Sequence, residues 1–449
     1  MVKSPSTKFT KHYPAKIFLV FWIGMFLLRG FGFMAHDHVV FSTYLTIILF
    51  CSSFILGYYL GVMIRIKDYF KFQSTGLFFV KKLDKNMNLL VNTTIVLSLV
   101  CCITQLIKLK TLSNFYNVDG VLLEMFSQVR ISKQNDSSYQ LGENFYGVIS
   151  NILYGFPVLA IFLHTYCRTF LDKKRRILLI LCYILGLFIS FTGGGRFTAF
   201  AFIFMYYFLR KIYLHRVMGS TINRTKYKFK GILSILFIVG IFYIFGQVFI
   251  VRLGSTDALM NYLDLQNFNH PKDFAKTLVE VLPSFSVLIQ VLMLFDYYIT
   301  HSIDQLNYLL TYPYPSQGPY WGAYQFSAFA LLFNKLGFEF KTIPMIDSEI
   351  VNPGVYFSMI GGVYLDYGYL GICWFTFIIG VLTAISFTNY LRNRNLISAF
   401  WSCIFLVIIS ISPIISMIGT GYFSSIITTG IFLFLFNLCF PLPPISNIT

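Results

Sequence analysis

The chain has 449 residues, of which 56% are hydrophobic, 19% aromatic and only 12% charged. A soluble domain carries about twice that charged share, so a soluble enzyme or binding module is excluded and a polytopic, all-α membrane protein is expected. The net charge of +17 brings nucleic acid to mind, but its distribution argues for a membrane instead.

In chain order, apolar runs of bilayer length predict about ten spanning helices, over roughly 17–34, 39–64, 88–107, 145–167, 177–192, 196–210, 231–251, 369–390, 397–418 and 421–440. The first run lacks a small-residue cleavage site and reads as a spanning helix rather than a removed signal peptide. Lysines and arginines cluster in every second connection: Lys3 to Lys16, Arg65 to Lys85, Arg168 to Arg176, Arg210 to Lys230, and Arg392 with Arg394. This is the positive-inside pattern, so both termini are expected to be cytoplasmic and the basic patches to face anionic lipid, not nucleic acid.

Two long segments, 108–144 and 252–368, then fall outside and carry most of the acidic residues. Long loops in compact proteins are usually functional. The chain therefore divides into a membrane bundle over 1–251, a long outer region over 252–368 and C-terminal membrane helices over 369–449. Val281 to Phe295 is apolar but short, contains Pro283 and Gln290, and ends at Asp296. It is expected to lie on, or dip into, the outer surface. The eight cysteines lie in or beside apolar spans without CxxC spacing, so no disulfide framework is signalled.

The candidate chemistry begins with Phe191-Thr192-Gly193-Gly194-Gly195-Arg196 at the outer end of a span. A charge at that depth is costly unless it faces a cavity or a ligand, and bare glycine backbone at Gly194 and Gly195 lets a bulky anion approach. Arg252, at the mouth of the long outer region, and Arg130, in the first outer loop, can converge on the same face. Guanidinium groups are bidentate partners for phosphate; the competing reading is that each snorkels to headgroups.

A second constellation runs from Asn352-Pro353-Gly354-Val355-Tyr356 through Gly361-Gly362-Val363-Tyr364-Leu365-Asp366-Tyr367-Gly368 into the next span. Asp366 is expected just outside that span, where an unpaired acid is expensive. Possible proton acceptors in the outer region are few, and His301 has a suitable ordinary pKa, although an exposed loop histidine is the plainer reading. Asp347-Ser348-Glu349 and His36-Asp37-His38 resemble metal pairs only in spacing, and the latter reads as a polar turn. The stiff aromatic stretch Tyr312-Pro313-Tyr314-Pro315 to Tyr320-Trp321 suits either sugar faces or the membrane interface.

The Gly-Gly-Gly-Arg junction, the long late outer region and the Asn352 to Gly371 stretch resemble the Wzy-type O-antigen polymerases, which join oligosaccharide repeat units. The resemblance covers the layout of the whole chain and, in residues, about 191–200 and 352–380. It implies a GT-C-like, metal-independent inverting glycosyltransferase at the periplasmic face of the bacterial inner membrane, with no cofactor. It further implies an undecaprenyl-diphosphate-linked oligosaccharide substrate and a chain-length regulator as partner. Arg196 and Arg252 then hold the lipid diphosphate, with Arg130, Gly194, Gly195, Asn352 and Tyr356 in the binding region. His301 and Asp366 are the candidate bases. The related O-antigen ligases carry a His-Asn pair where this chain has Asn352-Pro353. A ligase and a lipid-linked oligosaccharide flippase remain the alternatives.

Overall fold

The computed structural model describes residues 11–64, 85–115, 145–168, 170–192, 196–217, 260–261, 263, 269–312, 319–341, 345–346, 357–393, 395–418 and 421–442. Its elements, in order, are α1 (Tyr13–Phe31), β1 (Met34–His36), α2 (Phe41–Met63), α3 (Lys85–Phe115), α4 (Phe145–Leu153), α5 (Phe156–Tyr166), α6 (Lys173–Thr192) and α7 (Arg196–Val217). There follow β2 (Asn269–Pro271), α8 (Asp273–Val281), α9 (Ser286–Thr311), α10 (Ser327–Lys335), α11 (Met359–Asn393), α12 (Leu396–Ile411) and α13 (Gly421–Cys439). Among the described residues six helices are long and apolar enough to cross a membrane, and two shorter helices are apolar. The protein is a multi-pass, helical membrane protein with one two-stranded antiparallel ribbon, β1 against β2. The expected span at 231–251 lies outside the described residues.

The centre of the bundle is α12, which is buried almost all round, as a helix apolar on every face must be. Asn395 starts it by accepting the Ser398 N–H at 2.7 Å, satisfying one of the donors that a first turn leaves over. Around it stand α1, α7, α11 and α13. The most intimate pair is α2 with α11, where Gly57 and Gly61 face Gly380 and Ala384. Small residues four apart on both helices let the backbones touch. A Cβ built on Gly57 falls 2.2 Å from the Phe377 carbonyl oxygen, and one on Gly380 falls 2.4 Å from that of Phe54. Neither backbone can yield cheaply, so Gly57→Ala is expected to destabilise the protein by about 1–3 kcal/mol. A lowered unfolding midpoint of the purified variant in detergent checks this.

The 145–167 span is apolar enough to cross a membrane over Ile149–Tyr166 and carries a break between α4 and α5 at Tyr154-Gly155, where α13 approaches so closely that a Cβ on Gly155 meets Thr429 and Ser425. Two sequence expectations are corrected. The helix expected from 369 begins earlier, at Met359, and is broken at Gly368, whose φ of 64° and ψ of −161° suit only glycine. The Val281–Phe295 stretch opens a 26-residue helix, α9, that is largely buried and has the length and composition of a span.

The partners of α9 nevertheless gather at one end of the bundle. Its first half packs on α8 and the ribbon, through Met293 and Leu294 with Met34 and Ala275. Its second half meets the last turn of α1, the first turn of α2 and the turn after α12. Helix α9 thus closes the bundle at the end where α1 finishes, called below the Arg29 end.

Candidate functional site

Helix α9 carries Asp296, Thr300, Asp304 and Asn307 at spacings of four, four and three, which places them on one face. That polar stripe lies against ends of neighbouring elements, where backbone groups and one charge need partners. Asp296 Oδ2 accepts the Met34 N–H at 2.8 Å, just past the end of α1. Arg29 Nη1 donates to Asp304 Oδ2 at 2.6 Å, and Nη2 lies 2.5 Å from Oδ1 as an ion pair. Arg29 also donates to the Asp37 carbonyl at 3.0 Å, and His36 Nδ1 lies 3.1 Å from Asp304 Oδ2. Asn307 Oδ1 accepts the Val40 N–H and the Thr43 hydroxyl, each at 2.9 Å, while Nδ2 donates to the His38 carbonyl at 3.3 Å. Val40, at the start of α2, cannot cap a helix with its own side chain, so Asn307 does this from another element.

The Arg29–Asp304 pair is a fork-to-fork contact between side chains that are 10% and 2% exposed. Such geometry is required to offset the removal of two charges from water. An arginine this far along a spanning helix requires such a partner. Close by, the Ser302 hydroxyl donates to the Pro413 carbonyl at 2.6 Å and Trp22 Nε1 donates to Ser412 at 3.2 Å, tying α9 and α1 to the turn after α12. Lys272 Nζ donates to the carbonyls of Gly30 and Gly32, the favourable place for a cation at a helix C-terminus.

Arg196 opens α7, and three contacts locate that helix. Tyr390, near the end of α11, donates to the Ile212 carbonyl, and Phe387 beside it stacks on Tyr13 at the start of α1. The end of α7 and the start of α1 therefore share one end of the bundle. Phe21 and Phe204 meet edge-on at 5.4 Å. Arg196 precedes Phe204, and Arg29 follows Phe21, by the same eight residues, about 12 Å of helix in each case. The backbone of Arg196 thus stands at the level of Arg29 along the bundle.

On the same end, Asp366 is fully buried two residues before the break in α11. Its Oδ1 accepts the Tyr324 N–H at 2.9 Å and its Oδ2 the Gln325 N–H at 2.7 Å, with the Gly322 N–H also directed at the carboxylate. The main chain adds Trp321 N–H to the Asp366 carbonyl at 2.9 Å and Tyr320 N–H to Leu365 at 3.1 Å. Gln325 Oε1 in turn accepts the Ser416 hydroxyl at 2.5 Å. The Asp366 carboxyl group is thus seated among backbone N–H donors of the 322–325 turn.

Of the residues expected to form the site, Arg130, Gly194, Gly195, Arg252, Asn352 and Tyr356 lie outside the described residues. Asp366, expected as an unpaired acid outside its span, is inside a helix and paired with backbone donors. His301, expected in an exposed loop, lies in the interior of α9 at 2% exposure, stacked on Tyr297, with Nδ1 2.9 Å from the Tyr297 carbonyl. A carbonyl only accepts, so Nδ1 carries the proton and Nε2 keeps a lone pair. His36, expected in a turn, is in β1 opposite Asn269. Sequence reasoning missed Arg29, Asp304 and Asn307 as a unit. The available signal was the polar stripe in an otherwise apolar α9, which a surface helix would have turned to water. Comparisons with protein-family models, curated proteins and solved structures find no match for this chain.

Proposed function

We propose that the protein polymerises undecaprenyl-diphosphate-linked oligosaccharide repeat units into a surface polysaccharide at the outer face of the bacterial inner membrane. The observation that carries the reading is the level of Arg196, at the head of α7 and at the same end of the bundle as the buried Arg29–Asp304–His36 layer. In this reading the diphosphate of the donor sits against the Arg196 guanidinium. The bond between the donor sugar and the diphosphate breaks, and a hydroxyl of the acceptor unit forms the new glycosidic bond. The negative charge that grows on the leaving diphosphate is offset by a cation already in place, which is worth most in a site with little water. The hydroxyl proton passes to His301 Nε2 when the acceptor is seated. Arg29 is already matched by Asp304 and shapes the site without adding free positive charge.

A transporter of the same lipid is the second reading. The burial of Asp296, His301 and Asp304 favours it, because ionisable groups inside a bundle often line a path. Their concentration at one end favours the enzyme, since a path needs polar groups through its depth.

The deciding experiment expresses Arg196→Ala in a strain lacking this protein, at matched abundance, and reads glycan length on a gel. The expected result is long ladders with the unmodified protein and single repeat units with the variant, reflecting about a 100-fold loss of polymerisation rate. Full ladders with the variant remove Arg196 from the mechanism. Absence of all surface glycan in the strain lacking the protein points to the transporter or to a ligase.

A further inference from the structure

We propose that Trp321 is a stacking platform for a sugar ring of the glycan substrate, a proposal that rests on the reading above. Among the described residues Trp321 is the one non-glycine with a positive φ, 53°, and Gly322 follows at 92°. The left-handed region disfavours any residue with a Cβ, and a bulky aromatic there is a real outlier. Glycine at 321 would relieve the strain, so the indole is kept at the expense of the turn. The turn does not use the indole for packing. Tyr320, Gly322 and Ala323 are buried, while Trp321 is 72% exposed.

What keeps the turn in its strained shape is Asp366. Its carboxylate holds the N–H groups of Gly322, Tyr324 and Gln325, and its carbonyl holds that of Trp321 itself. A buried carboxyl group and several main-chain bonds therefore fix one backbone conformation and present one ring outward. Pre-setting the angle of a flat apolar face lowers the ordering cost of binding. A pyranose ring offers such a face on its C–H side and hydroxyls at its rim. A tryptophan that only anchors a protein in the bilayer interface needs no such constraint, because the headgroup region accepts many ring angles.

The test uses the full chain in lipid nanodiscs, labelled with 5-fluorotryptophan. The probe is the oligosaccharide repeat unit released by mild acid from the surface glycan of the cell that makes the protein. The Trp321 resonance is assigned from Trp321→Phe. It is expected to shift saturably with the oligosaccharide, while the resonance of buried Trp22 stays in place. Calorimetric titration of Trp321→Gly is expected to give binding weakened at least about fivefold, with an unfolding midpoint at or above that of the unmodified protein. An unshifted Trp321 resonance, or equal affinity in Trp321→Gly, overturns the platform. A resonance that responds to exchanging bilayer for detergent but not to oligosaccharide assigns Trp321 to the membrane interface instead. The two proposals fail separately. Loss of ladders in Arg196→Ala with an unresponsive Trp321 leaves the polymerase and removes the platform. Full ladders in the strain lacking the protein, with a saturable Trp321 shift, do the reverse.

Discussion

Asp304→Ala is expected to destabilise the protein by about 3–5 kcal/mol, the cost of leaving a buried charge without its partner. The variant removes both acceptors of the Arg29 fork and the neighbour of His36, in a layer shut off from water by α9. Arg29 retains only the Asp37 carbonyl, a neutral acceptor. The consequences reach beyond the pair. Asp304 joins α9 to the end of α1, and the neighbouring turn of α9 brings Asn307 onto the start of α2. Loss of the ion pair is therefore expected to loosen α9 over the whole Arg29 end. Unfolding of the purified variant in detergent and its abundance in membranes measure the effect. The pair Arg29→Met with Asp304→Leu is expected to regain most of the lost stability, because two apolar side chains incur no cost of charge burial. An Asp304→Ala midpoint equal to that of the unmodified protein would show that the ion pair contributes nothing net.

Asp366→Ala is expected to cost about 3 kcal/mol or more. It leaves the N–H groups of Gly322, Tyr324 and Gln325 buried without an acceptor, at about 1–3 kcal/mol for each buried donor left unmade. Without the carboxylate only the main-chain pairs hold Trp321 at positive φ, and the turn is expected to relax. Hydrogen exchange separates this from general unfolding. The amides of Tyr324 and Gln325 should lose protection in the variant while those of α12 keep it. Asp366→Asn keeps one acceptor but sets an amide NH2 against backbone N–H groups, so it is expected to recover only part of the loss. Retained protection at Tyr324 and Gln325 in Asp366→Ala would mean that the main-chain pairs alone hold the turn. A base acting at this carboxylate would instead leave the turn intact on substitution and abolish turnover, so the same variant distinguishes the two roles.

The helical, multi-pass character was legible from composition and run length. The helices at 13–31, 41–63 and 396–411 lie close to their predicted positions, since about 20 apolar residues have few other ways to satisfy their backbone. The break at Gly368 coincides with the boundary placed just before residue 369, but the helix before it was hidden. Residues 359–367 mix Gly361, Gly362, Tyr364 and Asp366 with apolar positions, and local propensity reads that mixture as loop. Burial against Phe357, Gln325 and the turn after α12 overrides it.

Charge was harder to read than apolarity. Arg29 was visible as an arginine in a span, yet its partner is 275 residues away, beyond the reach of any spacing rule. Asp304 and His301 looked like loop residues because α9 is too polar for an ordinary span and too apolar for a solvated surface. Chain length, composition and the order of apolar runs determined that this protein is a helical membrane bundle with a long, mixed-composition segment before its last helices. Only the tertiary structure decided that the described part of this segment, α8 and α9, packs at one end of the bundle. It also decided that the acids there are matched, Asp304 by a guanidinium and Asp366 by backbone N–H groups. The physical reason is that burial of a charge is settled by what stands opposite it in space, whereas burial of an apolar run follows from its own length.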